Sequence, residues 1–237
     1  MNTFLLVHGA WESGWVWQSV TSLLEKAGHK VYAPSLTGLG ERSHLLNKEV
    51  NLETHIQDIL NLIKWERLKN ITLVGHSYGG MVVSGVADKA YKQIKSLIYL
   101  DAFIPKDGQS LLDLMLPDRA ENIIKSAKNE GKGWKVPTKA APLQDITSKK
   151  EINLLNTLCT PHPFASMTQK IKLLNNEQKI SKKAFILASK FQPTVFTKFA
   201  EQALGLDWPV KNIDTHHFTM ISKPRETADA IMKYALH

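Results

Sequence analysis

Cys159 is the single cysteine in a chain of 237 residues, so an internal disulfide is excluded. Long apolar runs are missing too, and with them any candidate for a membrane-spanning helix. No cluster of Cys, His, Asp and Glu has metal-ligand spacing, and no phosphate-binding loop is present. Gly38-Leu39-Gly40 is a loop turn without the dinucleotide fingerprint. Neither a metal nor a cofactor is expected. Acidic residues are in the minority, 22 Asp and Glu against 30 Lys and Arg, for a net charge of +8. Much of the excess lies between Lys125 and Lys150. Such a face can attract anions, but no helix-groove motif, zinc pattern or aromatic RNA-binding signature accompanies it. Nucleic acid is therefore not an expected partner. The first strand pattern begins at residue 3, which leaves no room for a leader; a cytoplasmic protein with no membrane contact is expected. A homodimer is compatible with the chain, which does not fix the oligomeric state.

Repeats, low-complexity tracts and linkers are also absent, so 1–237 reads as one domain. Apolar strand patterns at 3–8, 30–33, 71–76, 96–101, 184–189 and 209–213 alternate with helical patterns at 16–27, 52–65, 78–92, 194–204 and 225–236. That alternation predicts an α/β fold: a mostly parallel sheet of about six strands with helices on both faces. Residues 107–181 interrupt it. Their short amphipathic pieces, 111–116, 120–127 and 152–158, predict a helical cap inserted in the domain. Trp134, Phe164 and Met167 are candidates for pocket wall there, or equally for cap core.

The most informative segment is Ile71-Thr-Leu-Val-Gly-His-Ser-Tyr-Gly-Gly80. A β-branched apolar strand climbs to a serine between glycines, and a helix pattern with Met81, Val82, Val83 and Val86 follows at once. A bare Gly-x-Ser-x-Gly can be a plain turn, but this context is that of a nucleophile elbow. Ser77 then sits on a strained strand-to-helix turn, and side chains at 75 and 79 would strike the neighbouring strand and helix. The N–H of Tyr78 opens the helix and can hold a developing oxyanion. A second such donor is expected after the first strand, in His8-Gly9-Ala10-Trp11, with Ala10 the first choice and Trp11 the second. Trp11 is also a pocket-wall candidate.

Nine histidines are available as a base. Only His216 and His217 follow a late apolar strand and precede a C-terminal helix, the position for a serine–acid–histidine order. On an extended segment the two point to opposite sides, so one alone should face Ser77. His44, His55 and His162 read as solvated loop histidines.

Taken together, the chain resembles the α/β-hydrolase branch of plant methylesterases, hydroxynitrile lyases and bacterial pyrethroid-hydrolase-like esterases. The matching stretches are Phe4–Trp11, Pro34–Arg42, Gly75–Gly80, Tyr99–Pro105, Thr160–Pro163 and His217–Pro224, nearly the whole length. The resemblance places the base seven residues before Pro224, at His217. It also places an aspartate just after the strand that follows the cap, and there this sequence departs. Residues 184–200 contain no Asp or Glu. Asp101, which ends the strand after the nucleophile helix, is the expected replacement acid. The alternative for Asp101 is a structural role bracing the loop to Pro105, and Asp214 is the next candidate acid.

The resemblance implies a serine carboxylesterase acting on small to medium, largely apolar esters. The alternatives are a non-hydrolytic enzyme of this fold, a lyase or a β-keto-acid decarboxylase, and a ligand-binding receptor with weak turnover. The lyases typically carry lysine after the catalytic histidine; Phe218 stands there instead.

Overall fold

The computed structural model describes residues 1–141, 146–190 and 194–236. Six strands form one sheet: β1 (Thr3–Val7), β2 (Lys30–Tyr32), β3 (Ile71–His76), β4 (Ile94–Leu100), β7 (Lys182–Ala188) and β8 (Val210–Ile213). The two intervening strands, β5 (Lys135–Val136) and β6 (His162–Pro163), make a separate antiparallel ribbon. The main sheet has order β2-β1-β3-β4-β7-β8, and every pair in it is parallel.

Strand periodicity sorts the core into two layers. Phe4, Leu6, Val74 and Ile98 pack with α1 (Gln18–Lys26) and α9 (Pro224–Leu236). Leu5, Val7, Leu73 and Leu97 point the other way, to α2 (Leu52–Trp65), α3 (Gly79–Ala90) and α8 (Val195–Gly205). All six residues of β3 are buried, as a central strand covered on both faces requires. Helix α2 starts at Asn51, whose side chain accepts the Thr54 N–H while Thr54 returns the bond. Such a cap contributes on the order of 1 kcal/mol.

The topology fixes where a site can form. From β1 the chain crosses to β2 on one side and then to β3 on the other, so β1 and β3 flank the switch point of the sheet. Crevices open there at the carboxyl ends of the strands. Register levels those ends: Val7 sits beside Gly75, His76 beside Leu100, and Leu100 beside Ile186.

Between β4 and β7 lie α4 (Leu111–Leu114), α5 (Pro117–Asn129), α6 (Lys149–Leu158) and α7 (Phe164–Thr168), together with the β5–β6 ribbon. Helices over 111–116, 120–127 and 152–158 were legible as amphipathic patterns. The ribbon and α7 were not, being too short for any period to show. Among the described residues, no helix is long and apolar enough to cross a membrane.

Candidate active site

Ser77 follows β3 directly and has φ 53°, the left-handed region a side chain normally avoids. Its surroundings over-determine that conformation. The Ser77 carbonyl accepts the N–H groups of Gly80 and Phe103, and its own N–H reaches the Leu100 carbonyl. A Cβ on Gly75 would lie 2.6 Å from Val83 Cγ2; one on Gly79 would lie 2.7 Å from the Val7 carbonyl oxygen. The collisions foreseen for positions 75 and 79 are therefore with α3 and with the end of β1.

The loop after β1 approaches as closely. A Cβ on Gly9 would stand 2.9 Å from Ser77 Cβ. Of the two candidate donors in this loop, Trp11 gives its N–H to His162 Nδ1 at 3.3 Å. Among the described residues, the N–H groups of Ala10 and Tyr78 have no acceptor. Ala10, Ser77 and Tyr78 line one cavity of about 340 Å³.

His217 lines the same cavity. Its Nδ1 lies 2.6 Å from Asp101 Oδ2, and the other carboxylate oxygen accepts the Ala188 N–H at 3.1 Å. A carboxylate partner fixes the proton on Nδ1 and leaves Nε2 as an acceptor. The Phe196 ring stacks on the imidazole, 4.9 Å away and 9° from parallel. Burial and the neighbouring charge of His76 lower the His217 pKa, outweighing the hydrogen bond it donates to Asp101 and that carboxylate's charge. Asp101 sits at φ 43°, and its N–H is held by the Ile186 carbonyl. Asp214 is exposed at the surface.

Several expectations need correction. His216 also lines the cavity, because the chain bends at residues 214, 215 and 217 and strand alternation no longer applies. What separates the two histidines is their partners. His216 Nε2 meets Glu151 Oε2 of α6 at 2.9 Å, and its Nδ1 accepts the Phe218 N–H. Of the expected pocket walls, only Trp11 touches the cavity. Met167 is fully buried in the core, Phe164 packs against that core, and Trp134 carries the Lys135 ammonium over its ring. The apolar walls are instead Leu111, Met115, Leu116, Phe103, Val195 and Phe196.

His55 and His162 are not solvated; both have zero exposure, whereas His44 is exposed as expected. His55 donates from Nε2 to the Thr37 carbonyl and accepts the Tyr78 hydroxyl at Nδ1, 2.8 Å away. Burial pushes its pKa down to about 4. His162 accepts the Trp11 N–H and donates from Nε2 to Ser166 Oγ at 2.8 Å, and burial holds it well below the usual histidine range. These neutral rings brace Tyr78 and Trp11, the residues on either side of the Ser77 hydroxyl's pocket. Their local sequence carries little signal of this, since Thr37, Tyr78 and the Trp11 N–H are distant in the chain and only Ser166 lies near its histidine.

Among the described residues, no group of His, Cys, Asp and Glu could hold a metal ion. The model of the Alpha/beta hydrolase family matches residues 4–230. A carbendazim hydrolyzing esterase from Nocardioides sp. (strain SG-4G) is 37% identical over 240 residues, 98% of each chain. Polyneuridine aldehyde esterase from Rauvolfia serpentina is 27% identical across 97% of this chain and 94% of its own. An extracellular α/β-hydrolase from a Paenibacillus species, 24% identical, superposes over 99% of both chains with a TM-score of 0.87 and shows the same fold. The chain belongs to the α/β hydrolase family, and esterases are among its relatives over the full length.

Proposed function

We propose that the protein is a serine esterase that hydrolyses small to medium, largely apolar carboxylic esters through an acyl-enzyme. The observation that carries this reading is the 2.6 Å contact of Asp101 with His217 in the cavity that also holds Ser77. Ser77 Oγ attacks the ester carbonyl while His217 Nε2 takes its proton. Asp101 keeps the tautomer and stabilises the imidazolium that forms. The oxyanion is received by the Ala10 and Tyr78 N–H groups. His217 returns the proton to the leaving alcohol, and water, activated the same way, clears the acyl group. Residues 107–181 act as the cap: Leu111, Met115 and Leu116 close the cavity with apolar surface. Its volume suits a ligand near the small end of enzyme pockets.

The test is a panel of p-nitrophenyl and methyl aryl esters, with carbendazim added because a relative is named for hydrolysing it. Steady turnover is expected; binding without turnover would favour a receptor. Mandelonitrile belongs in the same panel. Cleavage to cyanide needs a positive group at the leaving anion; Phe218, the residue after His217, is buried edge-on to it at 5.4 Å and away from the cavity lining, and the cation that does line the cavity, Arg119, sits over the Trp11 ring. Cyanide release is expected to stay far below ester turnover; equal rates would refute the argument.

The two histidines should behave differently. His217→Ala is expected to lose several orders of magnitude in kcat, since members of such a constellation act as a unit. His216→Ala loses a contact to Glu151 and a piece of pocket wall, so its effect should fall mainly on KM. Near-normal kcat in His217→Ala with collapse in His216→Ala would reverse the assignment.

A further inference from the structure

A further acid–histidine pair lies sealed beneath the cavity. Glu12 is 2% exposed and His76 not at all. His76 Nδ1 is 3.1 Å from Glu12 Oε2, and His76 Nε2 is 3.0 Å from the backbone carbonyl oxygen of His217. The same Glu12 oxygen accepts the Gly9 N–H at 2.9 Å. A carbonyl oxygen only accepts, so Nε2 must carry a proton. A second proton is then needed between Nδ1 and the carboxyl oxygen, or two lone pairs would face each other in the core. That proton belongs on nitrogen. Imidazole is the stronger base by about two pK units, and the Gly9 N–H donated to the same oxygen favours the carboxylate. Burial alone would drive both groups neutral, but each partner's charge and hydrogen bond oppose this: His76 ends above its ordinary value and Glu12 below its own.

The pair grips three functional segments at once. Glu12 holds Gly9, next to Ala10. His76 is the residue before Ser77. Its Nε2–H holds the carbonyl of His217, whose ring centroid is 4.5 Å away. We infer that the Glu12–His76 ion pair is a positioning device that locks the Ala10 loop, the Ser77 turn and the His217 backbone together, with its cation facing the His217 ring. The role in catalysis rests on the serine-esterase reading; the charge state does not.

The other titratable groups acting on His76 are Asp101, His217 and His8. His8 is neutral: it donates from Nδ1 to the Gly9 carbonyl and accepts the Leu36 N–H at Nε2. Trp17 and Phe218 present apolar rings to His76. The imidazolium therefore stands as the nearest positive charge to His217 and opposes its protonation, while Asp101 favours it.

Ring ¹⁵N NMR of the full-length protein tests this without any substrate. In wild type, His76 should carry protons on both ring nitrogens at neutral pH, where His217 has already lost one. In Glu12→Gln the anion is gone, so His76 should become neutral near pH 7. The His217 titration midpoint should then rise, because the lost His76 cation outweighs the lost Glu12 anion, a shift that loss of packing alone would not give. A singly protonated His76 in wild type overturns the inference. So does an unmoved His217 midpoint once His76 is neutral. Should Glu12→Gln not fold, the wild-type spectrum decides the charge, and Glu12→Asp, which keeps the anion, should keep the doubly protonated ring. Absence of ester turnover in wild type would sink the esterase reading and leave these spectra unaffected.

Discussion

Ser77→Ala is expected to lower kcat on the best ester by about 10⁵ to 10⁶-fold, the scale seen when a nucleophile working in a triad is removed. The reasoning is geometric. Ser77 is held at φ 53° by hydrogen bonds through its own backbone and by contacts that admit no side chain at Gly75 or Gly79. Alanine meets the same backbone demand as serine there, so the fold should be unchanged and the loss confined to chemistry. KM should change little, because the apolar walls remain. A fluorophosphonate probe should add once to wild type, at Ser77, and not to the variant. Labelling that persists in Ser77→Ala would show that another residue is the nucleophile.

Asp101→Asn should cost up to about 10⁴-fold in kcat, by analogy with triads whose acid is replaced by its amide. The direction follows from the two oxygens. Oδ1 accepts the Ala188 N–H and Oδ2 faces His217 Nδ1. In the variant the amide oxygen keeps the Ala188 bond, and the NH₂ group turns to His217. It then donates to Nδ1 and moves the ring proton to Nε2, where Ser77 needs an acceptor. Asparagine tolerates the left-handed backbone at φ 43°, so melting temperature should stay near wild type. Ester hydrolysis within tenfold of wild type would show that the contact braces the loop to Pro105 and does not serve the base.

How much of this was legible beforehand differs by element. The strands and helices of the core were, because most are long enough for a period of two or 3.6 to show, and the three-residue β2 falls where the alternation of strands and helices calls for one. The elbow at Ser77 was, because its chemistry needs glycines at fixed, local offsets. Asp101 as the expected partner of His217 came from a strand end next to the nucleophile strand and from an empty stretch at 184–200, where the resemblance places an acid. The pocket walls were misassigned: Trp134, Phe164 and Met167 look like a lining by composition, yet the cavity is faced by Leu111, Met115 and Leu116. Which side of a short helix faces a pocket depends on how it docks, and four-residue helices carry too little pattern to say. Glu12 offered one weak signal, the only acidic residue in the mostly apolar stretch from Phe4 to Trp17.

The sequence by itself determined the layered parallel sheet, the strained serine and the order in which the functional residues occur along the chain. These depend on local backbone preference and on periodic burial, both of which are written in neighbouring residues. The tertiary structure alone decided the partners: Asp101 for His217, Glu151 for His216, Glu12 for His76, and His162 for the Trp11 N–H. Each joins residues more than 60 positions apart, brought within hydrogen-bond reach when strand register aligns the carboxyl ends of the sheet and, for Glu151 and His162, when the elements between β4 and β7 dock there. For His217, His76 and His162 the protonation is set by that partner and by burial, so it became readable only in the folded chain.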